Sequence, residues 1–215
     1  DLMPWRSGAG NLRVRASTPL KTPWRTVQIG ETPGDLITST LTLNLNEPNA
    51  LGDVSWVKPG KYIGIWWGMH LRVNSWGSGP THGATTENAK RYIDFAAEYG
   101  FDGVLVEGWN LGWDGDWFNS KGDFDFSTPY PDFDLQEVAR YAQENGVRLI
   151  GHHETGGDVL NYERQMEAAY ALFRSLGIDT VKTGYAAFLM DGAEWHHGQR
   201  GVEHYRAVTL LAAEN

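Results

Sequence analysis

The apolar run Val104, Leu105, Val106 stops at a carboxylate, Glu107. It then opens into a loop that carries Trp109, Trp113, Asp114, Asp116 and Trp117 among glycines. A strand that ends in an acid and leads into an aromatic, glycine-rich loop is one way an α/β barrel presents a carboxylate to a glycosidic bond. The plainer reading is a buried strand closed by a salt-bridged glutamate. The pattern recurs, however. VRLIGHHE (147–154) ends in His152, His153 and Glu154, IDTVKTGY (178–185) delivers Lys182 and Gly184, and KYIGIWWGM (61–69) delivers Trp66 and Trp67.

Side chains alternate along a strand, so His152 and Glu154 share one face, as do Lys182 and Gly184. Two carboxylates on adjacent strands, Glu107 and Glu154, would divide proton donation and water activation between them. Lys182 and a protonated His152 would keep one of the two ionised. Two alternatives stay open for the same residues. Glu154 is also explained as a carboxylate satisfied by its neighbouring histidines. His152 and Glu154, with Glu194, His196 and His197 downstream, also offer ligands to a metal, although no His-Glu-x-x-His or second His-x-His accompanies them.

The elements that must position these groups follow one phrase from about residue 61: helix, glycine, apolar strand, polar loop. Helices are expected over 85–99, from 134 to Gly146, through Tyr162 to Leu176, and over 202–214, each with apolar residues at helical spacing. Gly100, Gly146 and Gly177 stop three of them where a left-handed cap is needed. Asp134 followed by Glu137 reads as a capping box. Alternating strands and helices imply a parallel sheet. A doubly wound sheet has the same alternation, but no glycine-rich phosphate fingerprint opens any helix. The tight joints all precede strands and the long polar loops all follow them, which suits a (β/α)8 barrel. Four such units cover residues 59–215, half of what a closed barrel needs. Residues 1–58 read as β-rich, with polar and apolar alternation over 36–45, and as the end of a preceding sandwich domain with its connector. The expected fold is therefore α/β: the N-terminal half of a barrel after a β-rich segment, in a chain cut from something longer.

Trp109, Trp113 and Trp117 recur every four residues, but the interleaved Gly108, Gly112 and Gly115 disfavour a helix. A loop lining or capping a pocket is expected, its aromatic wall extended by Phe124, Phe126, Tyr130 and Phe133. The alternative is a loop packed on its own hydrophobic cluster. A formal net charge of −9 argues against a nucleic-acid partner, which would need clustered cations. No run is long and apolar enough to span a bilayer, and no signal peptide is visible. The absence of cysteine excludes disulfides and thiolate metal sites. Ten tryptophans suit stacking on the apolar faces of neutral sugars, or simply a bulky core.

The phrases TPWRT (22–26), TLNLNEP (42–48), SWVKPGKYIGIWWGMH (55–70), ENAKRYIDFAAEYGFDGVLVEGWN (87–110), TPYPDFD (128–134), HHETGG (152–157), NYERQM (161–166) and VKTGY (181–185) together resemble glycoside hydrolase family 97. The family comprises bacterial α-glucosidases and α-galactosidases. The resemblance implies an N-terminal β-super-sandwich, a central (β/α)8 barrel, an oligosaccharide or α-glucoside substrate, and a periplasmic or secreted location. Retaining members carry a nucleophilic aspartate at the position of Gly184, so the resemblance points to the inverting α-glucosidase branch. There Glu154 is the catalytic residue that helps activate water, and Trp66, Glu107, His152 and Lys182 contact the sugar. The general acid and the calcium ligands of that branch lie outside this chain, so the 215 residues alone are expected to be inactive. An α-galactosidase of the same family, a metal-dependent barrel hydrolase and a non-catalytic carbohydrate-binding fragment are the competing readings.

Overall fold

The computed structural model describes residues 3–120, 123–184 and 187–215. Two units separate by contact: residues 14–58, and residues 59–215 together with the N-terminal stretch up to Arg13. In the second unit Arg6 pairs with Glu203 at 2.7 Å, and the Ser7 hydroxyl donates to the Ala193 carbonyl.

The unit 14–58 contains two short helices, α1 (Pro33–Ile37) and α2 (Leu41–Asn44), and no strand among its described residues. The Thr32 backbone N–H donates to the Asp35 carboxylate at 2.8 Å, and Pro33 occupies the first helical position. The strand expected over 36–45 does not form, and the β-rich reading of this segment is corrected. An unpaired strand leaves its N–H and C=O groups without a ladder, whereas helical turns pair them locally. Leu36, Ile37, Leu41 and Leu43 are exposed here, so no buried face enforces the alternation.

In the larger unit the order is β1 (Tyr62–Gly64), α3 (Trp66–His70), α4 (Thr86–Tyr99), β2 (Gly103–Leu105), α5 (Trp117–Ser120), α6 (Leu135–Glu144), β3 (Arg148–Glu154), α7 (Val159–Ser175), β4 (Val181–Gly184) and α8 (Gln199–Glu214). The four strands form one parallel sheet in chain order. The fold is mixed α/β, as expected. Tyr185, the expected end of the fourth strand, lies outside the described residues. The first strand is shorter than its sequence suggests, because the chain leaves the sheet after Gly64 and Trp66–His70 is helical. Ile65 and Met69, four residues apart, are both buried, and that spacing fits a helical turn. Gly64 permits the bend, since a Cβ there would meet the Trp66 ring at 2.8 Å.

The longer helices start and stop as their sequences dictate. The Thr85 and Asp134 side chains accept from the backbone N–H of Asn88 and Glu137, at 3.1 and 2.9 Å. Gly100 caps α4 in the left-handed conformation, with φ 68°. Glu137 does not close a capping box; its carboxylate pairs instead with Lys90 and Arg140.

The helices cover one face of the sheet. Val104, Val106 and Leu149 pack with Ala89, Ile93 and Ala96 of α4, with Val138, Ala139 and Ala142 of α6, and with Phe173 of α7. Ile63 and Val181 join the same cluster. In-register neighbours of a parallel sheet share faces. The pairings Leu105↔Ile150, His152↔Lys182 and Glu154↔Gly184 therefore put the alternate residues on the other side.

Close approach of α7 depends on Gly151, where an added Cβ would run into the Phe173 ring. A Gly151→Ala substitution is expected to lower stability by about 1–3 kcal/mol through overpacking. Thermal unfolding checks this, and an unchanged midpoint would show that α7 can yield at no cost.

Candidate active site

Glu107 lies two residues beyond β2 and is 7% exposed. A buried carboxylate must find compensation, and Lys182 supplies it. Its ammonium donates to Glu107 Oε1 at 2.6 Å. His152 Nε2 stands 3.7 Å from the same oxygen, beyond hydrogen-bond range. His152 and Lys182 are register partners on β3 and β4, so the sheet itself sets this triangle.

His152 does not carry the charge the sequence suggests. Burial, then the positive charge of Lys182 and the neighbouring His153, push its pKa well below the ordinary 6.5. The ring is neutral, and the expectation of a protonated His152 is corrected. Its Nδ1 has no hydrogen-bond partner among the described residues. Trp113 leans on the ring at 5.9 Å, and the Trp109 indole N–H donates to the His152 carbonyl at 2.9 Å. His153, on the helix-covered face, stacks on Phe173 at 4.7 Å with Nδ1 2.8 Å from the Tyr162 hydroxyl. Burial lowers its pKa to about 3.

Glu154 ends β3 opposite Gly184 and accepts from the Gly156 N–H at 2.8 Å. Burial, then the Glu154 charge, raises the pKa of Tyr205 on α8. Trp66 is half-buried on α3 rather than on a strand. It reaches the centre through rings, in edge contact with His70 at 4.9 Å; His70 meets Trp76 at 5.6 Å, and Trp76 stacks on Trp113 at 5.2 Å.

The structure thus gathers Glu107, His152 and Lys182, places Glu154 one step along the same strand, and connects Trp66 through aromatic contacts. The expected aromatic wall is largely core. Trp109, Trp113, Phe124, Phe126, Tyr130 and Phe133 are each no more than 2% exposed, so they hold the loop from behind rather than line a pocket. His82, which carried no sequence signal, and Asp114 of the loop itself help to hold it. His82 bonds to the Gly108 carbonyl and to Asp132. Asp114 accepts from the Ser78 hydroxyl and N–H at 2.7 and 2.8 Å, which helps hold its pKa below the ordinary carboxylate value.

Among the described residues no three His, Asp or Glu side chains stand close enough to hold a metal ion. Calcium asks for six or more oxygens at one point, and these residues do not assemble such a cage. Nor does any described helix have the length and apolarity to cross a membrane.

With this geometry in place, comparison with known proteins is decisive. Residues 66–215 match the family profile described as Glycoside hydrolase 97, and residues 5–48 match its N-terminal domain, Glycosyl-hydrolase 97 N-terminal. The chain belongs to glycoside hydrolase family 97. A family 97 enzyme from Pseudoalteromonas sp. strain K8, solved in complex with acarbose and, as a variant, with panose, is 56% identical. Its TM-score is 0.81, over 86% of this chain and 30% of that one. A retaining alpha-galactosidase of Bacteroides thetaiotaomicron is 28% identical over 179 residues, 80% of this chain and 24% of that protein. A probable retaining alpha-galactosidase of Streptomyces bingchenggensis is 29% identical over 150 residues, 69% of this chain and 21% of that protein. This family 97 chain therefore spans about a quarter of the length of its curated relatives.

The two buried histidines make stability depend on pH. Below 6.5 the unfolded chain binds protons that folded His152 and His153 refuse, so their contribution is complete above 6.5 and falls as pH drops toward about 3. The loss per histidine reaches about 1.4 kcal/mol per pH unit. Thermal unfolding between neutral and acid pH should show this slope, and His152→Gln should make it shallower. An unaltered slope would show that His152 is protonated in the folded state.

Proposed function

We propose that these residues supply part of the active site of an exo-acting, inverting α-glucosidase. In this reading residues 59–215 are the first four βα units of a (β/α)8 barrel, and residues 1–58 are the end of its N-terminal sandwich domain with the connector. The unreversed order of β1 to β4 supports the barrel, because a doubly wound sheet reverses strand order at its ligand crevice. A periplasmic or secreted location belongs to the same proposal. So does calcium, which would be held by residues outside this chain.

The observation that carries the reading is the pairing of Glu154 with Gly184. Retention requires a nucleophilic carboxylate, which family resemblance would put at Gly184. A glycine has none, and among the described residues, chain neighbours aside, no atom comes within 4 Å of where its Cβ would point. Inversion needs room for a water instead. In the proposed step water attacks the anomeric carbon as the bond to the leaving oxygen breaks through an oxocarbenium-like state. The water's proton passes to Glu154. The leaving oxygen takes a proton from an acid elsewhere in the full-length enzyme. Glu107, fixed by Lys182, holds sugar hydroxyls, neutral His152 and Lys182 hydrogen-bond the ring, and Trp66 shapes the pocket. The relative solved with panose, a trisaccharide of α-linked glucose, supports a glucoside substrate.

An α-galactosidase is the second reading, favoured by the names of the two curated relatives. Hydrolysis of aryl α-glucoside and α-galactoside by the full-length enzyme, with the first-formed anomer followed by NMR, separates the two. β-Glucose is the expected product; α-galactose would establish the second reading. Glu154→Gln should reduce kcat by roughly 10²- to 10⁴-fold while substrate still binds, and unchanged turnover would remove Glu154 from the mechanism. The isolated segment, lacking the acid, is expected to release no sugar.

A further inference from the structure

We propose that His82 is a positioning residue that fixes Glu107 from behind, through the peptide that follows it. The proposal rests on the reading of Glu107 as a substrate-holding carboxylate, but its geometry stands by itself. The His82 side chain is fully buried, and both ring nitrogens are engaged. Nδ1 lies 2.9 and 3.0 Å from the two carboxylate oxygens of Asp132, and Nε2 lies 3.1 Å from the carbonyl of Gly108.

Both partners are acceptors only. Each ring nitrogen is within hydrogen-bond distance of one of them, so the ring bridges Asp132 and Gly108. Asp132 has a firm base, since its carbonyl accepts from the N–H and hydroxyl of Thr86 at the start of α4, at 2.9 and 3.2 Å. The other end of the clamp is equally constrained. Gly108 has φ 86°, and a Cβ there would meet the Trp76 carbonyl at 2.9 Å, so the chain turns in a conformation suited to glycine. Tyr130 closes the far side, its ring in edge contact with His82 at 5.0 Å.

The consequence concerns one residue back along the chain. Glu107 must bring Oε1 to 2.6 Å from Lys182. Without His82 the buried Gly108 carbonyl loses its partner, and the cheapest relief is for the turn to move toward another donor. Glu107 moves with it. His82 touches no reacting atom in this scheme and acts through Glu107 alone.

The test is a double-mutant cycle in the full-length enzyme. His82→Phe should lower kcat/KM by roughly 10- to 100-fold, the scale of a small misplacement. The effect should largely vanish in a Glu107→Gln background, because the clamp then positions nothing. A residue that merely keeps the loop folded would lower the active fraction equally in both backgrounds, and that additive result overturns the proposal. If His82→Phe fails to fold, the half-exposed Asp132 carries the same cycle. Asp132→Ala should weaken the enzyme and Asp132→Asn should restore it, since an Asn amide can donate to Nδ1 while Nε2–H still reaches Gly108. Equal loss in both variants would overturn the clamp. A crystal structure of either damaged variant reads Glu107 directly. A Glu107–Lys182 contact still at 2.6 Å sinks the proposal. A displaced Glu107 in an enzyme indifferent to Glu107→Gln would leave the clamp standing and remove Glu107 from substrate binding.

Discussion

A carboxylate that folding removes from water has to be compensated where it stands, and the structure around Glu107 is organised by that requirement. At 7% exposure Glu107 has little solvent to stabilise its charge. The Lys182 ammonium does so directly, at 2.6 Å. The same ammonium helps keep His152 neutral, so a single cation serves one acid and suppresses a second positive charge beside it.

Register turns this local requirement into a site. Three parallel strands in step place Leu105, Ile150, His152 and Lys182 on one side of the sheet, while Val104, Leu149 and His153 face the helices. A slip by one residue would send His152 into the helix layer and His153 to the open face. The adjacent histidines are chemically identical, and their different surroundings follow from that alternation alone. His153 fills a slot against Phe173 and Tyr162, and His152 stands beside a carboxylate and an indole. The aromatic residues secure the register from behind. Trp109 bonds to the backbone of His152, and Trp113 joins the loop after β2 to the rings of both His152 and Trp76.

The parts legible in the sequence were those set by local rules. Thr85, Gly100 and Asp134 marked helix ends because capping is a contact over three or four residues. The acids and cations at the strand ends were legible because alternation fixes faces once a strand is recognised. What failed depended on partners that a sequence does not display. Leu36 to Leu45 alternates like a strand, but with no neighbouring strand the segment takes helical turns. Trp66 sits in an apolar run that reads as strand, yet the glycine at position 64 lets the chain fold back. Trp109 and Trp113 read as pocket lining because their types suit sugars, and only packing reveals them as core. His82 was invisible for a related reason: its two partners lie 26 and 50 residues further along the chain, at no motif spacing.

The two carboxylates of the sheet end are built differently, and that difference bears on their chemistry. Glu107 is locked by an ion pair, which suits a group that must hold a ligand's hydroxyls in one place. Glu154 accepts from the backbone of Gly156, two residues away, and has a glycine across the strand pair. A carboxylate that is already committed to an ammonium has less capacity to take a proton. Under the proposed reading, the division between a holding acid and an accepting base therefore comes from neighbouring strands: β4 contributes a lysine beside one carboxylate and no side chain beside the other. An aspartate in place of Gly184 would fill that space with a second negative charge at the position where Glu154 needs water. On that proposal such a site would favour direct attack by the new carboxylate over activation of water, so the proposed choice between retention and inversion rests on one residue without a side chain.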